Sequence, residues 1–99
     1  MPSDNLTTKL EAVCDEATFV EFLSALAEDR ADEVQKEEKS PSSPYGSGAN
    51  GWENITIESY LESACAWAEA SKDGLKYYQK PSNPWKRCAD ILYTGKIYE

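Results

Sequence analysis

Histidine is missing from all 99 residues. Its absence removes the side chain most used for proton transfer near neutral pH and a frequent metal ligand, and with it many hydrolase, transferase and metalloenzyme designs. Cysteine occurs only three times, at Cys14, Cys65 and Cys88. An odd number, widely spaced and without a Cys-x-x-Cys pair, supports neither a disulfide framework nor a zinc site. Cys65 and Cys88 fall on the apolar faces of expected helices, where each reads as a small buried hydrophobe. No run approaches the roughly 18 to 20 apolar residues of a membrane-spanning helix, and Met1-Pro2-Ser3-Asp4 has neither the basic nor the apolar part of a signal peptide. A cytoplasmic protein with no membrane association is the expectation. Phosphate-loop, dinucleotide-turn and nucleophile-elbow patterns are also lacking, and Gly46-Ser47-Gly48 is too generic to stand in for them.

Basic residues are scarce as well. Ten Lys and Arg face eighteen Asp and Glu, for a formal net charge of −8. The imbalance is concentrated: residues 1 to 50 hold eleven acids against four bases, and residues 51 to 99 hold seven against six. Such a field repels nucleic acid and anionic membrane and accelerates encounter with a basic protein. An acidic surface that serves only solubility is the competing explanation.

What is present is helical patterning. A chain of 99 residues, 40% hydrophobic and 11% aromatic, has enough large side chains for one modest core, so a single domain over 1–99 is expected. Residues 1–14, with Leu6, Leu10 and Val13, form a lead-in of open conformation. From an Asp15 cap, Phe19, Val20, Leu23, Leu26, Ala27, Ala31 and Val34 recur at helical spacing, which predicts a helix of roughly 20 residues. Residues 40–51 combine Pro, Gly and Ser with no charge and read as a long flexible loop. Thr56 caps a second helix with Ile55 placed to staple onto Tyr60, and Ile57, Tyr60, Leu61, Ala64, Cys65, Trp67 and Ala68 give it a broad apolar stripe. This helix is expected at the centre of the core, ending near Ser71 before Gly74. Asn83 and Pro84 open a third helix carrying Trp85, Cys88, Ala89, Ile91 and Leu92, with Gly95 as its terminator. The predicted fold is mainly α, a small three-helix bundle with the long Ser/Pro/Gly loop between its first two helices. Pairing of the lead-in with residues 75–82 would give an α+β variant.

No catalytic, cofactor-binding or metal-ligating residue emerges, and an enzyme is not expected. Glu58 and Glu62 are one helical turn apart, but an exposed carboxylate pair of this kind is ordinary solvated decoration. Asp29, Asp32, Glu33 and Glu37 lack the glycine-containing loop of a calcium site and read as a solvated helix face. The basic and aromatic runs Lys76-Tyr77-Tyr78-Gln79-Lys80 and Trp85-Lys86-Arg87 are outweighed by the acidic remainder, against a nucleic-acid platform. Partner-binding candidates are therefore the acids Glu28, Asp29, Asp32 and Glu33 and the loop aromatics Tyr45, Trp52, Tyr77 and Tyr78, since aromatics dominate binding hot spots. Trp52-Glu53-Asn54 also has a structural reading, in which Trp52 covers an open end of the bundle and Glu53 and Asn54 satisfy backbone donors at the start of the second helix.

The block Trp52-Glu53-Asn54-x-Thr56-Ile57-x-x-Tyr60-Leu61-Glu62-x-Ala64-x-Ala66-Trp67 resembles a small, uncharacterised bacterial domain family. Phe-x-x-Phe-Leu at Phe19 to Leu23, Trp85-x-x-x-Ala89-x-x-Leu92 and the terminal Tyr98-Glu99 extend the likeness over residues 15 to 99. It implies a helical fold and carries no catalytic residue. In build the chain is also similar, as a class, to immunity proteins that neutralise toxins of competing cells. The functional expectation is thus an acidic protein-binding module, of the immunity or inhibitor type, that meets a basic toxin or nuclease. The alternative is a structural or assembly module that self-associates or joins a cytosolic complex.

Overall fold

The computed structural model describes residues 2–43 and 46–98, with side chains from Asn5 onward. Four helices follow one another: α1 (Pro2–Glu11), α2 (Glu16–Lys39), α3 (Ile57–Ala70) and α4 (Pro84–Ile97). Among the described residues there is no strand; Leu75 and Tyr78 form one isolated bridge across a turn. The fold is small and all-α. The lead-in is a helix of its own, so the three-helix count is corrected to four and the α+β variant is set aside.

Local chemistry places three of the four helix starts. Asp15 accepts from the Thr18 N–H at 2.9 Å while the Thr18 hydroxyl returns to the cap, a capping box with Thr in the usual Glu position. Thr56 and Ser59 repeat this device at α3. Asn83 accepts from the Trp85 and Lys86 amides, with Pro84 in the first helical position. α1 is held by Leu6, which buries in the core with Leu10 beside it, and Val13 follows it into the same cluster. A helix this short gains its stability from packing rather than propensity.

The core gathers Leu6, Val13, Phe22, Ala25, Leu26, Trp52 and Ala89, bordered by Phe19 against Trp85 at 5.5 Å and Trp52 against Tyr60 at 5.8 Å between ring centroids. α2 is its main wall, with α1 on one side and α4 behind, while α3 packs chiefly on α4 and reaches the core through Tyr60. The expectation that α3 forms the centre therefore fails. Only Ala64 and Trp67 of α3 are buried; Ile57 is 78% and Leu61 56% exposed, and Cys65 and Cys88 both face solvent. Ile55, expected to staple onto Tyr60, is exposed too.

α2 buries a different face from the one its apolar periodicity suggests. Phe22, Ala25, Leu26, Asp29 and Glu33 point inward, whereas Val20, Leu23, Ala27, Ala31 and Val34 are exposed. The buried set follows the helical spacing 22, 26, 29, 33, with two acids completing a stripe that apolar residues begin. Gly95 likewise has a role other than the expected one. It lies inside α4, buried, where an added Cβ would stand 3.0 Å from both the Ala64 Cβ and Tyr60 Cε1. The missing side chain lets α3 and α4 approach closely, and α4 runs on to Ile97.

Candidate functional site

Asp29, Glu33 and Glu37 are stacked one turn apart on α2, and the α2–α3 connection is hung on them. Asp29 is fully buried; its Oδ2 accepts from the Trp52 indole N–H at 2.8 Å and from the Lys96 ammonium at 2.7 Å. Its Oδ1 has no hydrogen-bond partner among the described residues. Lys96 comes from the last turn of α4, and its ammonium also lies 5.5 Å from the Trp52 ring centroid. Arg30 approaches the same ring at 5.9 Å. An ion pair buried this deeply recovers its desolvation cost only through such added hydrogen bonds and ring contacts.

One turn on, Glu33 is 1% exposed. Its Oε1 accepts the backbone N–H of Asn50 at 2.9 Å and of Trp52 at 3.2 Å, and its Oε2 accepts from Arg30 at 2.9 Å. Gly48 sits directly over this carboxylate, where any Cβ would overlap it. Asn50 completes the knot: its amide donates to the Asp29 carbonyl and to Asp32 Oδ2, and its carbonyl accepts from Lys36. Glu37 accepts from the Ser42 hydroxyl, the Ser42 N–H and the Ala49 N–H. These bonds, led by the Ser42 hydroxyl, hold the Glu37 carboxyl below its usual range. Asp32 is lowered first by its bond from Lys36 and then by Asn50. A connection without secondary structure must find acceptors for its N–H groups, and here carboxylates supply them.

Asn54 closes the other side. Its amide donates to the Gly95 and Tyr98 carbonyls, and the Glu53 and Asn54 N–H groups both donate to the Lys96 carbonyl. The expected role at the start of α3 is therefore corrected: Asn54 caps the carbonyl end of α4. Trp52, expected over an open end, lies inside the core.

A second polar cluster ties α4 to the end of α3. Arg87 donates to Ser71 Oγ at 2.9 Å and to the Ala68 carbonyl at 3.0 Å, and it lies 5.2 Å from the Trp67 ring. Tyr78 packs edge-on against Trp67 and donates its hydroxyl to Asp90 at 2.7 Å, and burial is the first cause of its raised pKa.

The eight partner-binding candidates thus separate. Asp29, Asp32, Glu33 and Trp52 come together, but as an internal network; a solvated face is corrected for Asp29 and Glu33, which have no surface to offer. Glu28 is exposed on α2, and Tyr77 is 90% exposed with the Lys76 ammonium over its ring. Tyr78 is half-buried in the α3–α4 cluster, and Tyr45 lies outside the described residues. The loop, expected to be flexible, is hydrogen-bonded to α2 at Ser42, Ala49, Asn50 and Trp52. Lys96, Asn50 and Gly48 escaped sequence reasoning, although Asp29 and Glu33 fall in register with Phe22 and Leu26.

Two clefts flank Trp52. One, of about 270 Å³, runs between α2 and α3 and is lined by Leu23, Leu26, Ala27, Arg30, Trp52 and Tyr60. The other, of about 610 Å³, continues along α2 past Val34 to Glu37 and Glu38 and shares Arg30 and Trp52 with the first. Among the described residues no group of three His, Cys, Asp or Glu side chains could hold a metal ion, and no helix is long and apolar enough to cross a membrane.

Residues 15–99 match the model of a family of unknown function, DUF7660. The chain belongs to this family. No curated protein and no solved structure matches it. The DUF7660 segment begins at the cap of α2, so the carboxylate ladder, the Trp-Glu-Asn block and both clefts lie inside it, while α1 lies before it.

Proposed function

We propose that the chain is a protein-binding module whose negatively charged surface meets a basic partner, in the manner of a stoichiometric inhibitor or immunity protein. The observation that carries this reading is how the charges are divided between interior and surface. Among the described residues eleven acids are exposed: Glu11, Asp15, Glu16, Glu21, Glu28, Glu38, Glu53, Glu58, Glu62, Glu69 and Asp73. The exposed bases are Lys39, Lys72, Lys76 and Lys80, three of them around the turn after α3. The bases Arg30, Lys36, Lys86 and Lys96 are engaged by Glu33, Asp32, Asp90 and Asp29. Internal pairing takes up a larger share of the bases than of the acids, so the field at the surface is strongly negative for so small a molecule.

Affinity capture on the full chain at low and high salt, with mass spectrometry of the retained proteins, tests this reading. A basic protein retained at low salt and released at high salt is the expected result, because exposed charges are screened within about 8 Å at physiological ionic strength. The second reading, an assembly module, draws on the exposed apolar side chains Val20, Leu23, Ile57 and Leu61. It predicts partners that salt does not release.

A further inference from the structure

The apolar stripe that α2 leaves unburied is not a plain surface, because it forms one wall of a groove. Val20, Leu23, Ala27, Arg30 and Val34 recur at three and four residues, the seam pattern of a helix with a helical neighbour. No such neighbour lies along this stripe among the described residues: α2 and α3 stand apart along their backbones, and Trp52 and Tyr60 fill the space between them. The smaller cleft lies in this gap and the larger one between α2 and the connection that leads to α3; they meet at Trp52 and at Arg30, whose guanidinium also donates to the Ile55 carbonyl, and together they follow α2 from Leu23 to Glu38, about 22 Å at 1.5 Å per residue. That length accommodates about four turns of helix.

We infer that this groove receives an amphipathic helical segment of a partner protein, with apolar side chains at one end and lysine or arginine at the other. The inference rests on the protein-binding reading above and locates its site. Leu23, Ala27, Leu26, Trp52 and Tyr60 offer the apolar end its contact, in the manner of helix-in-groove recognition through residues spaced i, i+3, i+4 and i+7. The charge at the other end decides the partner's chemistry. Glu37 is bonded by neutral donors, so its charge is kept, and exposed Glu38 stands beside it. Arg30 is already bound to Glu33, Lys36 is turned to Asp32 and Asn50, and Lys39 does not line the cleft. The C-terminal dipole of α2 adds to the preference for a cation there. A second copy of this chain, itself at −8, would bring charge of the same sign to the seam.

Selection of 16-residue peptides from an unbiased display library against the immobilised full chain tests the inference. The enriched peptides are expected to show the helical apolar spacing with Lys or Arg at one end. Synthetic copies are expected to lose about tenfold or more in affinity to Ala27→Arg, which fills the groove from an exposed helix position without harming the helix. Glu38→Lys is expected to weaken them less, and Leu61→Ser, outside the groove, not at all. Circular dichroism confirms that each variant is folded. Enriched peptides that ignore Ala27→Arg, or that carry Asp and Glu instead of bases, would overturn the groove while leaving the protein-binding reading standing. No enrichment at all would likewise overturn the groove, and the protein-binding reading would then stand or fall on the salt-dependent capture.

Discussion

Asp29 and Lys96 lie 67 positions apart in the chain and meet in the interior as a buried ion pair at 2.7 Å. Removing one charge strands the other, so Asp29→Leu or Lys96→Met alone is expected to lose about 3–5 kcal/mol. The double variant removes both charges, and its remaining deficit should be near the roughly 1–3 kcal/mol of a Trp52 N–H left without an acceptor. Denaturant unfolding of the four proteins in a double-mutant cycle measures this coupling. At Gly95 two effects oppose each other. Alanine improves helix propensity by about 1 kcal/mol, but overpacking against Ala64 and the Tyr60 backbone costs about 1–3 kcal/mol. A lower melting temperature for Gly95→Ala is the expected result, and a rise would show that the α3–α4 contact yields. Tyr60 supplies a pH signature: burial pushes its hydroxyl up to about 12, and the hydroxyl donates to the Leu92 carbonyl at 2.7 Å. With the folded value above the unfolded one, near 10, this stabilisation is complete below pH 10 and is lost as pH rises toward 12. In Tyr60→Phe the alkaline fall of stability should be shallower. At the acid end, Asp32 and Glu37 have folded values below their ordinary 3.8 and 4.5, so what they contribute is present above those values and is lost on further acidification.

At the scale of elements, what was legible in the sequence was what is local. Asp15, Thr56, Asn83 and Pro84 announce three helix starts because a cap is settled by the residues beside it, and Asn83→Ala should cost about 1 kcal/mol in thermal unfolding. The face that α2 buries was not legible. Its apolar count favours Val20, Leu23, Ala27 and Val34, yet Asp29 and Glu33 go inside because Lys96, Asn50 and Trp52 arrive from distant positions to satisfy them. The helical state of α1 was equally hidden, since Leu6 and Val13 acquire their role only against Phe22 and Ala89. Leu6→Ala is accordingly expected to cost about 2–5 kcal/mol, although Leu6 precedes the family segment. Of the candidate site, Glu28 and Tyr77 proved exposed as a binding residue must be. Asp29 and Glu33 show how a charge pattern alone cannot separate a binding surface from a buried scaffold.

Across the whole molecule, the interior acids and the exposed acids have different tasks. Asp29, Glu33 and Glu37 hold the connection between α2 and α3 against the helix, which keeps Trp52 in place as the floor of the groove. The exposed acids set the surface field and, in the proposed function, the rate at which a basic partner would arrive. Reversing Glu21 and Glu28 should therefore leave stability nearly unchanged and slow association, with a smaller dependence on salt. The measurement that bears most directly on this division is native-state hydrogen exchange at the Asn50 and Trp52 amides and the Trp52 indole. Held by Glu33 and Asp29, these protons are predicted to exchange only through near-global unfolding, with protection comparable to that of Phe22 in the core. Exchange at the rate of an open loop would contradict the account, because the acids of α2 would then be holding nothing.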